Sequence, residues 1–239
     1  MRKLLLVCLL IPVIGFGQSK NVINFFRVFA KPDKGAELEK KLAEHAQKYH
    51  SGNWKWRVFE IQTGPDATGF QVIEGPLSWE DFDARGDLGP EHTAHWNNTI
   101  APLTTGAGTQ AYATFLEELS TVQIKDYSDK IIINHMYPKP GMINKLKDMI
   151  ANLRKAWQAG NESVAVYESN FSGEPQISTS TRLKAGLKEL APGFRKPIQE
   201  RYDSANAPST WSNFLKDYAD CVERRWSEML LYRPELSSK

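Results

Sequence analysis

The chain has 239 residues, of which 24% are charged and 41% hydrophobic, with 30 basic and 28 acidic side chains. That balance argues against nucleic acid or an anionic membrane surface as the main partner, and two cysteines are too few for a disulfide framework. The length suits one large core or two small ones.

Residues 1–17 read as a signal peptide. Arg2 and Lys3 precede an apolar run from Leu4 to Phe16, and Gly15 and Gly17 supply small residues where a signal peptidase cuts. The run is short for a membrane span. The expectation is cleavage near Gln18 and export to a periplasmic or extracellular destination, with no membrane contact afterwards. Without Arg2 and Lys3 the chain carries 28 basic and 28 acidic residues, so it is formally neutral. Cys221 is then the single cysteine, an inert thiol with no intrachain partner.

Residues 21–30 are rich in β-branched and aromatic side chains and predict a strand that Pro32 ends. Ala36, Leu38, Leu42, His45, Ala46 and Tyr49 recur at helical spacing, with Gly52 as the stop. Strands follow at 54–61 and 70–74, separated by a Gly- and Pro-containing turn. Ser78 caps a helix from Trp79, with Glu80 and Asp81 in its first turn. A broken helical stretch runs through His92, His95 and Trp96, and 110–116 is a fourth strand. A polar stretch, 120–129, leads to a second series. It has strands at 130–137, 163–169, 176–181 and 225–233, a helix whose apolar line is Leu146, Met149, Ile150, Leu153 and Trp157, and a second helix at Trp211.

The second series repeats the first. Ile23, Lys31, Pro32, Leu38, Ala43, Gly52, Asn53, Val58 and Glu60 all recur 108 residues later, as Ile131, Lys139, Pro140, Leu146, Ala151, Gly160, Asn161, Val166 and Glu168. Trp79 and Phe82 are echoed by Trp211 and Phe214, and Glu118-Leu119-Ser120 by Glu235-Leu236-Ser237. Each series is β-α-β-β-α-β, the split βαβ arrangement. Residues 18–122 therefore form one ferredoxin-like repeat and 123–239 a second, with a helical insertion near 183–208. That insertion carries Lys184, Lys188, Arg195, Lys196 and Arg201, read as a solvated segment or as a lid presenting cations to an acidic ligand.

Such a unit leaves one sheet face bare, and two units placed sheet to sheet cover each other. On this duplicated pattern the chain resembles the dimeric α/β-barrel superfamily of antibiotic-biosynthesis and haem-degrading monooxygenases. It is similar to secreted bacterial proteins of that fold. The resemblance implies an α+β fold: an intrachain barrel in a monomer with an internal pseudo-dimer.

Alternate residues of a strand share a face, which groups Phe25, Arg27 and Phe29, and separately Ile133, His135 and Tyr137. Arg27 and His135 occupy equivalent positions across the repeat, as do Glu60 and Glu168. The expected site is a pocket in the barrel whose polar end is Arg27, His135, Glu60 and Glu168, walled by Phe25, Phe29, Trp56 and Tyr137. It would bind a small, partly aromatic or anionic molecule, with cofactor-independent catalysis left open. The alternatives are a haem-degrading-type monooxygenase and a non-catalytic structural barrel. Haem-degrading members of the superfamily set a second-helix histidine, a first-strand asparagine and a tryptophan around haem. Here the resemblance points to His92 or His95, Asn24 and Trp79 in the first repeat, and to Asn134 and Trp211, without a helical histidine, in the second. Those elements do not stand together at the family's spacing, so no cofactor is expected. A metal at His92 and His95 is the weaker alternative.

Overall fold

The structure, a computed structural model, describes residues 19–106, 108–169 and 171–239. The expected signal peptide lies outside the described residues. Among the described residues no helix is long and apolar enough to cross a membrane.

The first unit runs through β1 (Val22–Val28), α1 (Gly35–Tyr49), β2 (Trp56–Ile61), β3 (Phe70–Leu77), α2 (Trp79–Ala84), α3 (Pro90–His95) and β4 (Gln110–Phe115). The second runs through β5 (Lys130–Pro138), α4 (Ile143–Ala159), β6 (Val164–Ser169), β7 (Gln176–Arg182), α5 (Ile198–Asn206), α6 (Trp211–Cys221) and β8 (Val222–Tyr232). Ser78 starts α2 through a capping box: its hydroxyl accepts the Asp81 N–H, and the Asp81 carboxylate accepts the Ser78 N–H.

Eight antiparallel strands close into a barrel in the order β1-β3-β2-β8-β5-β7-β6-β4. Each unit contributes its strands in the same spatial order. The units join through β2 with β8 and β4 with β6. Closure leaves no sheet edge open to another chain.

Strand parity divides the side chains between two environments. Ile23, Phe59, Ile61, Ile73, Ala113, Ile131, Ile133 and Leu230 fill the barrel, whereas Val28, Val58 and Val72 pack beneath α1, and Met136, Val164, Val166 and Ile177 beneath α4. The space left inside the barrel is about 70 Å³, room for roughly two waters.

The repeated Glu-Leu-Ser motifs act as reciprocal latches. Leu119 of the first unit is buried in the second unit's helix–sheet core, and Leu236 of the second in the first unit's. Ser120 accepts the Val166 N–H at 2.9 Å, and Ser237 accepts that of Val58 at 2.9 Å. Val58 and Val166 are themselves equivalent positions of the repeat. The exchange ties the units together beyond the strand pairing.

The Gly-Asn pairs behave differently in the two units. Gly52 takes the left-handed conformation at φ 60°, whereas in the second unit Asn161 does so at φ 51° and Gly160 caps α4. Gly160 meets another constraint, since a Cβ there would stand 2.2 Å from the Arg201 guanidinium.

The insertion is largely solvent-exposed, Lys184, Lys188 and Lys196 included, and a few buried residues fix it to the second unit. Arg201 is buried and bonds the Ala156 carbonyl at 2.6 Å and Glu162 at 2.5 Å. Arg195 bonds the Gly160 carbonyl and Glu189, and Lys184 pairs with Asp126. Arg195 and Arg201 pin the segment onto the end of α4, while Lys184 ties its start to the linker between the units. Tyr202, 2% exposed, anchors it in the second unit's core.

Candidate functional site

Arg27 on β1 and His135 on β5 do approach each other inside one end of the barrel, but on a partner the sequence reading missed. Glu228 of β8 accepts from Arg27 Nη2 at 2.5 Å and lies 2.8 Å from His135 Nε2 through the same oxygen. The other Arg27 nitrogens bond Gln71 and Asp66, and His135 Nδ1 lies 3.2 Å from Gln176 while its ring stacks on Trp226 at 4.0 Å. Every guanidinium nitrogen of Arg27 is therefore engaged, and no free fork remains for an incoming carboxylate. Strand parity held the clue, because Glu228 alternates with Leu230 and Tyr232.

The other expected members lie elsewhere. Glu60 and Glu168 belong to the opposite strand parity and face the helices. Glu60 pairs with Arg233 at 2.6 Å and Glu168 with Lys147 at 2.6 Å. Trp56 also faces the helices, buried beneath α1. Tyr137 lies at the barrel mouth, where Arg224 stacks over it at 4.0 Å, and there it borders a cavity of about 500 Å³ with Arg27, His135 and Trp226. Phe29 covers the bare backbone of Gly69, where a Cβ would come within 2.5 Å of its ring. The expected four-residue polar pocket is thus not formed. Strand parity separates Arg27 and His135 from Glu60 and Glu168 by the thickness of the sheet.

A different site lies between the first unit's sheet and its helices. It is a crevice of about 480 Å³ bordered by Asn24 and Phe26 of β1, Trp56 of β2, Glu74 of β3, Arg85, His92 and Trp96. Its walls are aromatic: Phe26 stands edge-on to Trp56 at 5.1 Å and to Trp96 at 5.9 Å. Asn24 and Glu74 are cross-strand partners in the β1–β3 ladder, so their side chains emerge side by side. One Glu74 oxygen accepts from Trp56 Nε1 and Arg85 Nη2, both at 3.0 Å. Its other oxygen, Asn24 Oδ1 and Arg85 Nε are buried without a hydrogen-bond partner.

Behind Trp56 the crevice meets a group of histidines. His50 stacks on Trp56 at 3.5 Å, and the His45 ring lies 4.7 Å from that of His92 and 5.2 Å from that of His95. Burial pushes the His45 imidazole down to a pKa of about 3, reinforced by His50, His92 and His95 around it. Burial lowers His50 and His92 as well. All three are neutral at ordinary pH.

The second unit has a comparable crevice of about 470 Å³, bordered by Leu153, Trp157, Trp211, Phe214 and Tyr218. Leu153 stands there at the position of His45. The histidines belong to one half of the barrel only.

The three haem-binding elements are not assembled. Asn24 and His92 border the crevice, but Trp79 is 39% exposed and packs on Tyr112 and Phe171 instead. The buried Nε2 of His92 sits in the imidazole group. These residues do not fit a haem site of that pattern.

No protein-family model matches the sequence, and no curated protein does. Solved structures do match in fold. An anthrone oxidase-like protein aligns with 90% of this chain and 92% of its own length at TM-score 0.52 and 14% identity. A protein named as a monooxygenase from Lactobacillus acidophilus aligns with 92% of this chain and 96% of its own at TM-score 0.52 and 9% identity. A mutant chlorite dismutase from Candidatus Nitrospira defluvii aligns with 92% and 93% at TM-score 0.51 and 9% identity. These likenesses show the barrel fold over nearly the whole chain.

Proposed function

We propose that this protein binds a small hydroxylated aromatic molecule in the crevice of its first unit. The observation that carries the reading is the set of unpartnered buried atoms there. Asn24 Oδ1 and the free Glu74 oxygen are acceptors, and Arg85 Nε is a donor, on residues that border a cleft walled by Phe26, Trp56 and Trp96. Buried polar groups normally find partners, and a ligand hydroxyl donating to Asn24 or Glu74 would supply one. The aromatic walls fit a planar ring, through stacking as well as burial. The second unit's crevice has a similar volume without the histidines, which favours the first unit as the working half.

Similarity in fold to an anthrone oxidase-like protein and to proteins named as monooxygenases supports an aromatic ligand class and an oxidative enzyme of this architecture. In this reading the Asn24–Glu74 pair orients the hydroxyl group and Arg85 balances negative charge that develops on its oxygen. The protein would act as an exported monomer, in keeping with its basic and apolar N-terminal run. The test is a panel of one- to three-ring phenols and their deoxy analogues, followed by tryptophan fluorescence and thermal melting on chelator-treated protein. Binding that needs the hydroxyl and weakens at least tenfold in Asn24→Ala and Trp96→Ala supports the proposal. Equal binding of the deoxy compounds, or none at all, would sink it.

A further inference from the structure

We propose that His45, His50 and His92 form a binding site for one divalent first-row transition-metal ion, with zinc the best match. Four of the chain's five histidines meet at this one place. One nitrogen from each of the three lies within 4.8 Å of the others. They come from the C-terminal half and C-cap of α1 and from α3, two segments that the fold must bring together.

Their hydrogen bonding points to a ligand. His45 and His50 are 0% and 1% exposed, yet His45 Nε2, both nitrogens of His50 and His92 Nε2 have no hydrogen-bond partner. Imidazoles serving only as core filler would leave the three Nε2 atoms with no polar neighbour, a costly arrangement, since His50 Nδ1 alone has a carboxylate nearby. A single ion would satisfy all three.

The surroundings suit that role. His45 Nδ1 lies 3.1 Å from His95 Nδ1. The tautomer in which His45 donates there leaves Nε2 with a bare lone pair. His50 Nδ1 lies 3.5 Å from the Glu74 oxygen that Trp56 and Arg85 hold in place. A carboxylate behind a ligating histidine is the usual outer support of such a centre. Three neutral nitrogen donors suit zinc, with copper and nickel competing. Nitrogens on a tetrahedral zinc ion stand about 3.3 Å apart, so modest ring rotations would close the set. Because His92 also borders the crevice, the ion would form part of its back wall.

This site is independent of the aromatic-ligand reading. Its test uses the tag-free mature chain, stripped with chelator and without any organic ligand. Zinc is titrated calorimetrically, and cobalt is followed by its visible absorption. The expected result is one ion per chain, a tetrahedral cobalt spectrum, and at least a 100-fold loss of affinity in His50→Gln and in His92→Gln, with His135→Gln unchanged. His92 is only partly buried, so its variant should keep the fold, which circular dichroism verifies. No saturable one-to-one binding, or affinity within threefold of the parent in both His50→Gln and His92→Gln, would overturn the proposal.

Discussion

Replacing Arg27 by methionine keeps the length of an unbranched chain inside the barrel while removing its charge. The Arg27 side chain is 5% exposed and that of Glu228 0%. Without Arg27, the carboxylate keeps His135 as its single partner, through one oxygen, while the other has none. Breaking a buried ion pair from one side costs about 3–5 kcal/mol. The lost contact with Asp66, which is 35% exposed, adds little. For a chain of this size each kcal/mol moves the melting temperature by about 2–4 °C, so Arg27→Met should melt roughly 6–20 °C below the parent. Adding Glu228→Leu should recover much of that loss, since an apolar replacement of a whole buried pair is often neutral. Calorimetric melts of the two variants and the parent decide it. If Arg27→Met lies within about 1 kcal/mol of the parent, the network does not stabilise the barrel, and Arg27 becomes available again as a ligand-binding group.

Three further outcomes follow from the geometry. Ser120→Ala and Ser237→Ala each leave a buried strand N–H unmet, and should each cost about 1–3 kcal/mol in urea unfolding; a neutral pair would show that the latches contribute nothing. His45 titrates at about 3 in the folded chain against 6.5 ordinarily. The unfolded state therefore binds the proton first, so stability present above pH 6.5 is lost as pH falls toward 3. The slope is about 1.4 kcal/mol per pH unit, or roughly 3 kcal/mol between pH 6.5 and 4, and burial of His50 and His92 acts in the same direction. A urea midpoint unchanged over that range in metal-free buffer would contradict this. Haemin titration should give no stoichiometric Soret shift, because Trp79 lies apart from Asn24 and His92; a sharp shift abolished by His92→Ala would overturn that reading.

Strand and helix order was legible because the repeat preserves punctuation as well as packing. Lys-Pro after the first strand, the helix stop and Glu-Leu-Ser after the last strand recur together. The meaning of Glu-Leu-Ser was not legible, since its serines bond the opposite unit. The placement of the expected site residues has a related explanation. Parity along β1 and β5 groups Arg27 and His135 with the barrel interior, but equivalence across the repeat says nothing about which face Glu60 and Glu168 occupy. Parity along β2 and β6 would have placed them with Val58 and Val166, under the helices. The histidines lie on segments separated by more than 40 residues, and helical spacing on α1 alone marks His45 as a core residue. His50 sits just past that periodic run, at the C-cap, so no pattern singles it out. Glu74 and Arg85 gain their meaning from Trp56 and Asn24 on neighbouring strands.

A crystal structure of the protein with the tightest phenol from the panel addresses the crevice directly. The ring should lie between Phe26, Trp56 and Trp96, with its hydroxyl within about 3.0 Å of Asn24 Oδ1 or the free Glu74 oxygen. A ligand seated instead in the second unit's crevice, or at the barrel mouth beside Tyr137 and Trp226, would contradict the assignment.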